Sequence, residues 1–106
     1  MGVCIEREDF CKRLIQLRMN KGVSARDMSI NIGQSPSYIN GIESGDNYPS
    51  MAMFFYICEY FGISPKEFFD LEVVNPTKAA ELYEAAKSLP NDQIDLLIAL
   101  AKGLKR

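Results

Sequence analysis

Glycines followed by serines that can cap a helix divide the first two thirds of this chain into short helical segments. Gly22 stops one apolar helical stretch, and Ser24 can cap the next. Gly33 ends that one, and Ser35-Pro36 offers a cap followed by proline at the first helical position. Gly45 ends a third segment, and the turn-forming Asp46-Asn47-Tyr48-Pro49 leads to Ser50 as a fourth cap. Gly62 closes that helix, and Ser64-Pro65-Lys66-Glu67 has the form of a capping box with proline in the first turn. No stretch alternates apolar and polar residues as a strand would, and there is no internal repeat. The pattern predicts an all-α chain.

The apolar positions supply the faces. Phe10, Leu14 and Leu17, with Cys11 on a flank, predict a first helix from about Asp9 to Asn20. A second runs to about Ile32, with Asp27 near its positive end, and a short third spans about 35–44. The fourth, with Met51, Phe54, Phe55, Ile57, Cys58 and Phe61, is apolar enough to lie across the core. The fifth carries Phe68 and Phe69. After a connector at Leu71 to Asn75, a sixth helix starts at Pro76 and carries Ala79, Leu82, Tyr83 and Ala86. Ser88-Leu89-Pro90-Asn91 breaks it. The seventh places Ile94, Leu97, Ile98, Ala101 and Leu104 on one stripe, with Asp92 and Asp95 near its start and Lys102, Lys105 and Arg106 near its end. The expected organisation is a five-helix domain over 9–70 and a helical hairpin over 75–106, which either pairs two chains or completes the core.

Several functions are disfavoured. No run of eighteen apolar residues exists, and Glu6, Glu8 and Asp9 interrupt any signal-peptide core, so a cytoplasmic protein without a membrane partner is expected. The chain has no histidine, and Cys4, Cys11 and Cys58 lack metal-ligand spacing or a partner base. No metal, cofactor or enzymatic activity is expected. Cys11 and Cys58 sit among apolar residues as core thiols. The net charge is −2, but from Arg7 to Asp27 six basic residues (Arg7, Lys12, Arg13, Arg18, Lys21, Arg26) face three acids (Glu8, Asp9, Asp27), which allows a locally positive face.

The informative pair of helices flanks Gly33. A tight turn between two steeply crossing helices needs a residue that tolerates a left-handed backbone. Ile39 and Ile42, three apart, can anchor the third helix in the core, leaving Pro36, Ser37, Asn40 and Gly41 outward. In a helix-turn-helix DNA binder such an outward face enters the major groove.

Residues 13 to 70 resemble the helix-turn-helix domain of the lambda-repressor, Cro and xenobiotic-response-element family. Arg13-Leu14-Ile15-Gln16-Leu17-Arg18 and Lys21-Gly22-Val23-Ser24 are similar to its first helix and the start of its second. Ser37-Tyr38-Ile39, Ile42-Glu43, Gly45 and Pro49-Ser50 are similar to its recognition helix and exit; Phe61-Gly62-Ile63-Ser64 and Glu67-Phe68-Phe69 are similar to its last two helices. The resemblance implies a five-helix lambda-repressor-like fold with a structural ion pair between Arg18 and Glu43. It implies a sequence-specific transcriptional regulator, homodimeric on a double-stranded operator, reading the major groove with the helix at about 35–44. No small-molecule effector is evident. The residues it places at the DNA are Arg26, Gln34, Ser35, Pro36, Ser37, Tyr38, Asn40, Gly41 and Ser44, with Lys21 as a further phosphate contact. The chain departs from the family pattern where glutamine opens the second helix (Ala25), where alanine is usual within it (Ser29), and at positions often basic or glutamine (Pro36, Gly41, Asp46). No lysine or arginine lies between Asp27 and Pro65. Gly41 lowers helix propensity by about 1 kcal/mol and is read as permitting a close approach. The alternative is a helix-turn-helix scaffold serving as a protein-interaction module with weak or no DNA binding.

Overall fold

A computed structural model describes residues 5–104, so Cys4, Lys105 and Arg106 lie outside the described residues. Among the described residues seven helices follow one another: α1 (Arg7–Lys21), α2 (Ala25–Asn31), α3 (Tyr38–Glu43), α4 (Met51–Phe61), α5 (Pro65–Phe69), α6 (Pro76–Ala86) and α7 (Asn91–Leu104). There is no strand among the described residues. The chain divides into two compact units between Pro76 and Thr77.

The capping chemistry operates largely where the sequence offers it. The Ser24, Ser50 and Ser64 hydroxyls accept from the amides of Asp27, Met53 and Glu67 at 3.0, 3.1 and 3.1 Å. Glu67 returns a bond to the Ser64 amide, completing the box. At the end of α2, Gly33 donates to the Ile30 carbonyl and Gln34 to that of Ser29, the paired bonds of a Schellman motif. The same pair of bonds closes α1 at Gly22, α3 at Gly45 and α4 at Gly62. Gly33 has φ +78°, and a Cβ there would meet nothing, so its requirement is conformational rather than steric.

Two boundaries differ from the expectation. The first helix starts at Arg7, where the Asp9 carboxylate accepts from the Glu6 amide at 3.0 Å and so caps the first turn. The third starts at Tyr38, not after Ser35. Ser35 and Pro36 instead form a turn in which the Ser35 carbonyl accepts from Tyr38, and Ser37 makes no side-chain cap.

The core of the first unit gathers Phe10, Leu14, Leu17, Met28, Ile32, Ile39, Ile42, Phe54, Ile57, Cys58, Phe61, Ile63 and Phe68. Phe10, Phe54, Phe68 and Phe69 form a ring cluster with centroids 5.1 to 6.2 Å apart. On α4 the expected apolar face is narrower than the composition suggests: Met51 and Phe55 are exposed. Cys11 donates its thiol to the Ile42 carbonyl at 3.2 Å, and burial pushes the Cys58 thiol up to about 11. Both thiols should resist alkylation in the folded chain and react only on unfolding, which timed thiol labelling of a Cys4→Ser variant would measure. Because Cys58 ionises at higher pH folded than unfolded, its contribution is complete below about pH 8.5, the unfolded thiol's ordinary value, and declines as pH rises toward 11.

Arg13 is the exception to an apolar interior. Only 2% exposed, it donates to the carbonyls of Phe68 (2.6 Å), Glu67 (2.7 Å) and Val73 (2.7 Å), with Gln16 as a fourth partner. It thereby satisfies the C-terminal carbonyls of α5 and fastens the connector that follows to α1. Burial lowers its pKa, with Asp70 opposing the effect. It contributes nothing to a surface charge.

Among the described residues of the second unit, 77–104, none is buried, and only Ala86, Leu89 and Ile94 are half-buried.

Candidate nucleic-acid interface

The geometry of α3 is set from beneath. Ile39 and Ile42 are fully buried and hold one side of the helix in the core. At its C-terminal end Glu43 forms a two-bond pair with Arg18 on α1, Nε to Oε2 at 2.7 Å and Nη2 to Oε1 at 3.1 Å. Both side chains are largely shielded, and Arg18 also donates to the Val23 carbonyl at 2.9 Å. The planar fork fixes direction as well as distance.

The N-terminal end of α3 is held by the serine that stands where the family usually has alanine. Ser29, fully buried on α2, donates its hydroxyl to the Ala25 carbonyl at 2.7 Å and accepts from the Ile39 amide at 2.9 Å. The first turn of a helix carries amides without an intrahelical partner, and here α2 supplies one of the missing acceptors. Nothing local in the sequence marks this bond, because serine and alanine both fit a tight helix crossing. Ser29→Ala should destabilise the domain by about 1–2 kcal/mol, since it leaves the buried Ile39 amide unpaired. Chemical denaturation against the parent chain checks this.

The outer face divides into two groups. Arg26, Pro36, Ser37 and Asn40 are exposed and, with Ala25, line an open depression between the start of α2 and the start of α3. Ser35 is exposed in the turn beside them. Four of the residues expected at DNA also make contacts within the protein. Gln34 is half-buried with its amide 3.6 Å from the Met53 sulfur. Tyr38 packs against the core, and its burial raises the phenol pKa. Ser44 bonds the Gly41 carbonyl and the Asp46 carboxylate at 3.2 and 3.1 Å, beside a negative charge. Gly41 permits a close approach by Asn47: a Cβ there would lie 3.0 Å from the side-chain Nδ2 of Asn47. The Asp46 and Asn47 amides also close on the Gly41 carbonyl.

The cations expected to form a positive face over Arg7 to Asp27 are largely engaged within the protein. Lys12 pairs with Glu8 at 2.9 Å, and Arg7 and Lys21 lie over the rings of Tyr48 and Tyr60 at 4.3 and 4.9 Å. Arg13 is buried and Arg18 is paired with Glu43. Arg26 is exposed beside α3 and has no such partner among the described residues. Tyr60 accepts a bond from Asn31 as well, while Phe55 and Tyr56 remain exposed on α4.

The sequence pattern of the helix-turn-helix domain family matches residues 11–74, well over half of the chain. The chain belongs to the helix-turn-helix domain family. The match spans α1 to α5 and the connector that Arg13 fastens, and it is consistent with the lambda-repressor/Cro type read from the sequence. No curated protein and no solved structure matches the chain. The helix-turn-helix domain is of the kind that DNA-binding regulators carry, and such domains are typically not enzymes. Among the described residues no group of potential metal ligands occurs, and no helix is long and apolar enough to cross a membrane.

Proposed function

We propose that this chain is a sequence-specific transcriptional regulator that places the outer face of α3 in the major groove of an operator and acts as a homodimer. The observation that carries the reading is the asymmetry of α3. Its inner side is fixed by Ile39, Ile42, the Ser29 bond and the Arg18–Glu43 pair, whereas Ser37 and Asn40 stand exposed beside Arg26. The Asn40 carboxamide has no partner among the described residues. A rigidly seated helix with an unengaged polar face is what base readout requires. Asparagine can bond both the N6 and N7 edges of adenine, and an arginine at the rim of the depression can hold a phosphate. A helix of six residues reads few base pairs, so paired half-sites read by two copies are needed for specificity.

Duplex binding measured between about 50 and 200 mM salt tests this. Arg26→Ala should weaken binding alike for all sequences and reduce the logarithmic salt slope by about 1 per protomer. Asn40→Ala should leave the slope intact and relax the preference at one base pair of each half-site by about 1–3 kcal/mol. Binding that ignores both substitutions would contradict the assignment of this face.

One observation favours a second reading. No lysine or arginine occurs between Asp27 and Pro65, while Met51, Phe55 and Tyr56 are exposed on α4. A scaffold that had exchanged groove contacts for a protein partner would combine these features. It would show no salt-dependent affinity for duplex, and its partner would be lost on substitution of Phe55 or Tyr56.

A further inference from the structure

We infer that the depression between the starts of α2 and α3 reads the 5-methyl group that a pyrimidine presents in the major groove, with Ala25 and Pro36 as its apolar walls. The inference rests on the major-groove reading of α3 and names a base feature selected beside the adenine assigned to Asn40. The depression has a volume of about 370 Å³ and is lined by Ala25, Arg26, Pro36, Ser37 and Asn40. Three of these side chains are polar or charged. The other two are not: Ala25 offers a methyl group, and Pro36 offers a ring and has no amide hydrogen to donate. Neither side chain can bond a phosphate or the polar edge of a base. What they match is an apolar group, and the one that a base edge exposes in the major groove is the pyrimidine 5-methyl of thymine. A 5-methylcytosine carries the same group at the same place.

The walls are held in place before any ligand arrives. Ala25 is half-buried and packs against the core. The buried Ser29 hydroxyl bonds both the Ala25 carbonyl and the Ile39 amide, at 2.7 and 2.9 Å. One side chain thereby ties the start of α2 to the residue preceding Asn40. Pro36 sits in a turn closed by the Tyr38 amide on the Ser35 carbonyl at 3.0 Å, and its ring fixes its own φ. A methyl group entering such a site loses water without the cost of ordering the protein around it. Asn40 then reads the polar edge of adenine while the two walls take the methyl of a neighbouring pyrimidine.

The test uses the full chain and duplexes of the motif it selects, with each pyrimidine in turn made thymine, uracil, 5-methylcytosine or cytosine. At one position of each half-site the methylated base should bind about four-fold more tightly than its unmethylated counterpart, the factor expected from burying one methyl group. A preference for thymine over uracil there identifies thymine as the base, and a preference confined to 5-methylcytosine over cytosine identifies the modified base. Ala25→Gly and Pro36→Ala, made separately, should each bring this ratio toward one, whereas Arg26→Ala should weaken both duplexes alike and keep it. The ratio compares two duplexes on one protein, so a general loss of stability does not move it. Equal binding with and without the methyl group at every position would overturn the inference and leave recognition by α3 standing. A methyl preference that survives both Ala25→Gly and Pro36→Ala would overturn its assignment to this depression. Selection of no motif would overturn it together with the reading on which it rests.

Discussion

Arg13→Met is expected to lower the stability of the helix-turn-helix domain by about 3 kcal/mol, one of the two largest effects foreseen for a single substitution. The change keeps most of the side-chain volume and removes every donor. The carbonyls of Glu67, Phe68 and Val73 would then lose their shared partner, that of Phe68 in the buried interior and the other two where they are partly buried. Each buried polar group left unpaired costs roughly 1–3 kcal/mol, and the three are not additive because α5 can fray and let water in. For a domain of this size the corresponding fall in melting temperature is about 12–24 °C. Arg13→Lys should recover only part of the loss, because one ammonium cannot reproduce the fork that spans both α5 and the connector. A thermal melt followed by far-ultraviolet circular dichroism checks it. A shift under about 4 °C, the equivalent of less than 1 kcal/mol, would mean that those carbonyls find other donors.

Glu43→Ala should be nearly as damaging, at about 2–3 kcal/mol, and it should act on function beyond its effect on stability. It removes both bonds to Arg18 and leaves a shielded guanidinium with the Val23 carbonyl as its remaining acceptor. The pair is partly open to solvent, so the loss falls below that of a fully buried one. The C-terminal end of α3 is then free to tilt. Duplex affinity should therefore drop even where the variant is fully folded, whereas Arg13→Met, once folded, should bind as the parent does. Glu43→Gln retains one acceptor and should lie between. Equal affinity for folded parent and folded Glu43→Ala would separate the ion pair from recognition.

Much of the fold is legible in the sequence because helix ends in this chain are local chemistry. Ser24, Ser50 and Ser64 accept bonds from amides three residues on, and Gly22, Gly33, Gly45 and Gly62 close helices with bonds reaching at most five residues back. Where local chemistry is not decisive, the reading drifts. Ser35-Pro36 looks like a helix start, yet α3 opens at Tyr38, after a turn closed on the Ser35 carbonyl and with its Ile39 amide satisfied from Ser29 on another helix. Arg13 reads as a surface cation because its acceptors lie 54 to 60 residues away. Six basic residues in one segment suggest a positive face, yet burial, pairing or stacking on Tyr48 and Tyr60 engages five of them. The outward set was legible only in part. Helical spacing separates Asn40 from Ile39 and Ile42, but it cannot show Gln34 turning to Met53 or Asn47 settling over Gly41.

The most direct test of the proposed function is selection of bound duplexes from a random DNA pool with the purified full chain at low salt, followed by a salt series on the winners. A two-fold symmetric motif, bound with an affinity that falls steeply as salt rises, is the expected result. A pool that emerges without sequence enrichment would contradict recognition by α3 and leave the exposed face of α4 as the functional surface.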